Sequence, residues 1–287
     1  MLAKRMFLMF FSTKNYVTGA LWNIGITLVL FVAFLGTQTA NTMNFWLGFE
    51  VDAGHIVIAT VFGGLVGVIC VNICIGVAHI IVEDFSHAAK DFHVSPISRK
   101  KIGTGYLIGI LGLGAFITGA ASIMCVIGIV LSGGNIPTLI EFGKIILTVF
   151  LATACASTFT YLIVLIAKTP SVFNAYSGAM STLIGFMMGV YVPIVALPEP
   201  IQWVIRIFPL THAAAMFRQI FAGSSLEQIF ANAPEGALQN FNITFGLLFD
   251  FGVFISDFWI SAGYLAISSV VFFIAIIFVS RKKTTHF

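Results

Sequence analysis

The run IVIATVFGGLVGVICVNICIGVAHIIV, residues 56–82, contains 27 residues and no Asp, Glu, Lys or Arg. Coiled as an α-helix it reaches about 40 Å, more than the roughly 30 Å of a bilayer's hydrocarbon core. The run lacks the polar alternation of a membrane β-barrel strand, so in lipid its backbone groups can be paired only along a helix. Reading outward, five more charge-free runs long enough to cross occur at 20–37, 104–131, 145–167, 174–192 and 258–279. The expected fold is an all-α membrane protein with six transmembrane helices.

Composition agrees. Of 287 residues, 59% are hydrophobic and 9% charged, where soluble domains carry about 25% charged residues. Mean hydropathy is +1.04, which excludes a water-soluble fold. The 30 Phe and 27 Gly fit lipid, because glycine lets helices approach closely within it. The net charge of +3 is small, and nucleic-acid binding has no support. Cys70, Cys74, Cys125 and Cys155 all lie within apolar runs, which precludes an exposed disulfide framework. Met6 to Phe11, between Arg5 and Lys14, is too short for a signal-peptide core and precedes no cleavage pattern.

Basic residues set the expected orientation. With both termini cytoplasmic, 11 Lys and Arg fall inside and Lys144, Arg206 and Arg218 outside. The first 19 residues mix Phe7, Phe10 and Phe11 with Lys4, Arg5 and Lys14, a composition suited to a helix lying in the inner interface. Gly63 with Gly67 and Gly105 with Gly109 form small-xxx-small pairs that permit close helix crossing.

Two connections are more than linkers. From Glu83 to Phe92 nothing breaks a helix, and Phe85, Ala88, Ala89 and Phe92 form one apolar stripe before Ser95-Pro96 ends it. Such a helix can dock on a partner protein or lie on lipid, and periodicity does not choose. The segment 193–257 is too apolar for a solvated loop; Pro193, Pro198, Pro200 and Pro209 break it early, and the helical run that follows is too short to cross. A partly re-entrant outer element follows, one that needs protein cover or a water-filled cavity. Trp46, Trp203 and Trp259 fall near the outer boundary and Trp22 near the inner one.

Catalytic chemistry is not evident. The spans hold no ionisable acid or base beyond His79, which weighs against an ion-coupled carrier. Neither H-E-x-x-H nor a zinc-spaced set occurs, and Gly143-Lys144 is followed by Ile145, so the chain has no P-loop. If ATP drives it, another subunit hydrolyses the ATP.

The interfacial start, the Glu83-Asp84 pair with Ser95-Pro96-Ile97-Ser98-Arg99, and Pro209-Leu210-Thr211-His212 with Arg218 occur in this order. The arrangement resembles the type-2 ATP-binding-cassette (ABC) exporter permeases, a six-span family that includes bacterial drug and antibiotic efflux permeases. The resemblance covers nearly the whole chain. It departs from the family's frequent Gly-Thr after the leading Glu, with Phe85-Ser86-His87-Ala88 following Asp84.

The resemblance implies a single type-2 ABC transmembrane domain over 1–287, with an interfacial helix at 1–19, a coupling loop at 83–103 and an outer re-entrant segment at 193–257. Glu83, Asp84, His87, Asp91, Phe92, Ser95, Pro96 and Arg99 would then contact a cytoplasmic ABC ATPase subunit that holds ATP and Mg, this chain binding no cofactor or metal itself. Spans two and five would line a central cavity, with Phe62, Asn72, Met180, Met187 and Met188 as wall residues. Pro209, His212 and Arg218 would belong to the outer re-entrant region. The implied assembly is a permease dimer, homo- or heteromeric, in the plasma membrane of a bacterium, exporting a lipophilic or amphipathic small molecule by alternating access. Export of a polysaccharide or lipid-linked glycan and an ion-coupled carrier are the competing readings.

Overall fold

The computed structural model describes residues 2–14, 17–19, 25, 54–87, 99–167, 169–232 and 236–283. The run 56–82 is the body of α2 (Gly54–His87), a continuous helix of 34 residues. The other elements are α1 (Leu2–Ser12), α3 (Arg99–Leu131), α4 (Leu139–Ile166), α5 (Pro170–Met187), α6 (Glu199–Ile207), α7 (Pro209–Ile229), α8 (Ala237–Thr244) and α9 (Phe258–Lys283). Phe249–Asp250 and Ile255–Ser256 form a two-stranded antiparallel hairpin, β1 and β2, just before α9.

Among the described residues, α2, α3, α4 and α9 are long and apolar enough to cross a membrane, with candidate spans His55–Phe85, Lys101–Leu131, Leu139–Ile166 and Phe258–Arg281. The expected span at 20–37 lies, but for residue 25, outside the described residues. The expected span at 174–192 coincides with α5, which is 18 residues long, carries Asn174, Ser177, Ser181 and Thr182, and is not one of these four.

Local chemistry explains the ends. Thr138 caps α4: its Oγ1 accepts from the Glu141 N–H at 3.3 Å, and the Glu141 carboxylate accepts from the Thr138 N–H at 2.7 Å. This box, with the Lys144 ammonium 5.2 Å from the centroid of the Phe258 ring, lets α4 begin at Leu139, six residues before the charge-free run. Thr169 caps α5, with Pro170 at the first helical position, where its missing N–H costs nothing.

Contacts along the helices give their directions. Phe62 faces Gly128, Cys74 faces Gly114, and Asp84 bonds Tyr106, so α2 and α3 are antiparallel. Lys144 with Phe258 and Phe159 with Phe272 make α4 and α9 parallel. His79 against Phe173 and Gly67 against Met188 make α5 antiparallel to α2. α1 packs on α3, with Met6 against Gly109, Phe7 against Gly112 and Phe11 edge-on to Phe116. Helix α2 touches α3, α4, α5 and α7. It is the centre of the bundle, whereas most of α9 faces outward.

Candidate functional site

Helix α7 crosses α2 where glycine leaves room. A Cβ at Gly67 would fall 2.9 Å from the Ala214 Cβ, and one at Gly63 2.7 Å from the Arg218 Cα. The two helices are therefore antiparallel, and the same register continued puts Pro209 opposite Asn72, about half-way along α2. Ile205 of α6 packs with Ala215 of α7, so α6 runs back beside α7. Together they form a hairpin that penetrates the bundle and returns to the end from which it came.

A helix broken at that depth exposes its last carbonyls where no water is at hand to meet them. Pro209 causes the break, since it has no N–H to donate and holds Phe208 in an extended conformation. Each of the last four carbonyls of α6 nevertheless receives a donor. The Phe208 N–H donates to Val204 O at 3.0 Å. Thr211 Oγ1 donates to Ile205 O at 2.7 Å, His212 Nε2 to Arg206 O at 3.0 Å, and the Tyr264 hydroxyl of α9 to Ile207 O at 2.6 Å. A carbonyl only accepts, so His212 carries its proton on Nε2, and in the neutral ring Nδ1 accepts from Ser261 Oγ at 3.2 Å. The Pro-Leu-Thr-His motif is thus a capping device for the hairpin tip.

Arg218, two turns beyond His212 on α7, is 2% exposed. Among the described residues no carboxylate meets it. Its Nε donates to Thr60 O at 3.1 Å, Nη2 to Met188 O at 2.6 Å and Gly189 O at 3.0 Å, and Nη1 to Gly246 O at 3.4 Å. Four glycines make the space: a Cβ at Gly63, Gly64, Gly189 or Gly246 would meet Arg218 atoms. Gly189 and Gly246 also have positive φ, +61° and +68°, which turn the chain so that main-chain oxygens point inward. The cation therefore ties α2, the end of α5, α7 and the loop after α8 together. The sequence pattern places Arg218 in a re-entrant element that needs protein cover; in the structure that cover is main-chain carbonyls from α2, the end of α5 and the loop after α8.

At the opposite end of α2, Asp84 is buried and accepts from Arg5 Nη2 of α1 and from the Tyr106 hydroxyl of α3, both at 2.9 Å. Glu83, next to it, is exposed. Helix α2 continues through His87, so Glu83 and Asp84 belong to its last turns and not to a separate helix. Arg99 opens α3. Asp91, Phe92, Ser95 and Pro96 lie outside the described residues.

Of the expected wall residues, Phe62, Met180 and Met188 are buried, Met187 is half-buried beside the cluster of Ile194, Ile205, Ala215 and Phe249, and Asn72 is half-buried. Phe62 packs toward Gly128 of α3, and Met188 toward Gly67 of α2. Tyr264, Ser261 and Tyr106 take part in these networks without any local sequence signal; each is a lone polar residue whose partner is distant in the chain. Among the described residues no group of three His, Cys, Asp or Glu side chains could hold a metal ion.

A search of curated proteins and one of solved structures returned no match. The family model described as "ABC-2 family transporter protein" matches residues 51–278, from just before α2 into the last turns of α9. A membrane transport component of this family implies an ABC ATPase partner and is not itself catalytic. With a match over most of its length, on a frame of membrane-crossing helices around α2, the chain belongs to the ABC-2 family of transporter proteins.

Proposed function

We propose that the chain is the permease half of an ATP-driven exporter for a lipophilic or amphipathic small molecule, working by alternating access. The observation that carries this reading is the ABC-2 match over residues 51–278. The continuity of α2 supports it. The helix at the centre of the bundle runs unbroken into the segment 83–103, so a push there acts directly on the core. On this reading both termini and that segment are cytoplasmic, and Glu83, His87, Asp91, Phe92, Ser95, Pro96 and Arg99 meet the ATPase. Asp84 then holds the end of α2 in register with α1 and α3.

The pathway forms between two copies, or between this chain and a related permease, each contributing α2 and α5. Their walls suit an amphiphile: residues 56–82 and 170–187 contain no Lys, Arg, Asp or Glu, and half-buried Met187 supplies a polarizable contact. The test is reconstitution with the ATPase that co-purifies with the chain. ATP-dependent movement of a lipophilic dye that persists after ion gradients are dissipated is expected, with loss of cargo-stimulated hydrolysis in Glu83→Ala and Phe92→Ala. Transport without any ATPase would end this reading, and movement of a lipid-linked glycan but no dye would replace the cargo.

A further inference from the structure

Between Val61 and Ile81, α2 is buried at every residue but three, Asn72, Gly76 and His79. Spacings of four and three put them on one helix face, and Glu83, exposed and four residues further on, continues the line. A Cβ at Gly76 would have no atom of the described residues within 4 Å, and Gly76 is exposed, so the face opens there. Helix α5 flanks the opening. The His79 and Phe173 rings meet edge to face at 5.0 Å, and a Cβ at Gly67 would lie 2.9 Å from Met188 Sδ. Between those two points the antiparallel register brings Tyr176 level with Gly76 and Met180 level with Asn72.

Two hydrogen-bonding atoms at these levels, Asn72 Oδ1 and the Tyr176 hydroxyl, are buried and have no partner among the described residues. Polar groups left unpaired within a membrane are costly, so a bound polar group that met both would lower that cost. Neither α2 from Gly54 to His87 nor α5 contains a Lys or Arg.

We infer that Asn72, Gly76, His79 and Tyr176 form a subsite for the polar head of the cargo, and that this head is a protonated amine. The inference rests on the exporter reading, in which α2 and α5 wall the pathway. An ammonium has donors only. Asn72 Oδ1, the tyrosine oxygen and the imidazole of His79 offer lone pairs, the rings of Phe173 and Tyr176 offer π faces, and Gly76 leaves the room. A carboxylate head would find no Lys or Arg on either of these two helices.

The test uses the full chain in lipid nanodiscs and three fluorescent probes that share one chain: 11-(dansylamino)undecylamine, 11-(dansylamino)undecanol and 11-(dansylamino)undecanoate. The amine is expected to bind at least about tenfold more tightly than the carboxylate, the scale of a hydrogen bond to a charged group. Asn72→Leu and Tyr176→Phe should each remove much of that preference while leaving carboxylate binding and the thermal midpoint unchanged. Gly76→Leu should block all three probes. Equal binding of the three overturns the head-group assignment and leaves the exporter reading standing. Binding of none overturns the subsite, while co-purification of an ATPase judges the exporter separately. Undiminished amine preference in folded Asn72→Leu and Tyr176→Phe also overturns it.

Discussion

Asp84 and Arg218 are both buried charges on or against α2, one near each end, and the protein accommodates them in opposite ways. Arg218 is held by main-chain carbonyls from four segments, in a cradle that exists because glycines occupy 63, 64, 189 and 246. Asp84 is held by two side chains, one of them Arg5 on the short helix α1, whose side chain is 45% exposed. A backbone cradle cannot be released without moving whole segments. An ion pair with a half-exposed partner can open and close by side-chain rotation and is weakened by solvent. The contrast teaches that the hairpin end of α2 is built as a fixed joint and the α1 end as a releasable one.

Substitutions can break that comparison. The largest effect is expected from Arg218→Met, which orphans buried carbonyls at about 1–3 kcal/mol each and should cost the chain at least about 3 kcal/mol. Thermal unfolding of the purified protein, with its monodispersity, measures this. Gly246→Val should follow at about 2 kcal/mol, because a β-branched residue resists positive φ; its Cβ would also stand 2.8 Å from the Ile194 Cδ1 and 3.2 Å from Arg218 Nη1. Asp84→Asn should cost only about 1 kcal/mol, since Arg5 is half exposed and the Tyr106 bond can persist. Its signature is a freed α1, read as faster proteolysis within residues 2–19. Tyr106→Phe is the mildest, at about 0.5–1 kcal/mol, leaving Arg5 in place. If Asp84→Asn proved costlier than Arg218→Met, the distinction between fixed and releasable ends would fail.

The crossing helices were legible because a charge-free run of sufficient length has few other uses. Their ends were less so. The charge-free run at 145–167 starts after Glu141 and Lys144, but a capping box and a cation–π contact fold both into α4. Asp84 was read as the start of a cytoplasmic loop, yet α2 carries it inward because Arg5 and Tyr106 neutralise and cover it. Hidden most completely was the burial of Arg218. A count of charges along the chain gives only the side on which an arginine lies, and the glycines that accommodate this one are spread from residue 63 to residue 246. The motif Pro209-Leu210-Thr211-His212 was visible as a pattern, but its capping role depends on a fold that brings α9 to the same point.

In carriers built with interrupted helices, the bare oxygens at the interruption are where sodium or protons are gripped. The interruption at Phe208 has its oxygens already engaged by Thr211, His212, Tyr264 and the Phe208 amide. Each oxygen at that interruption is therefore occupied in closing the hairpin tip, so the broken backbone is mended by groups from α7 and α9.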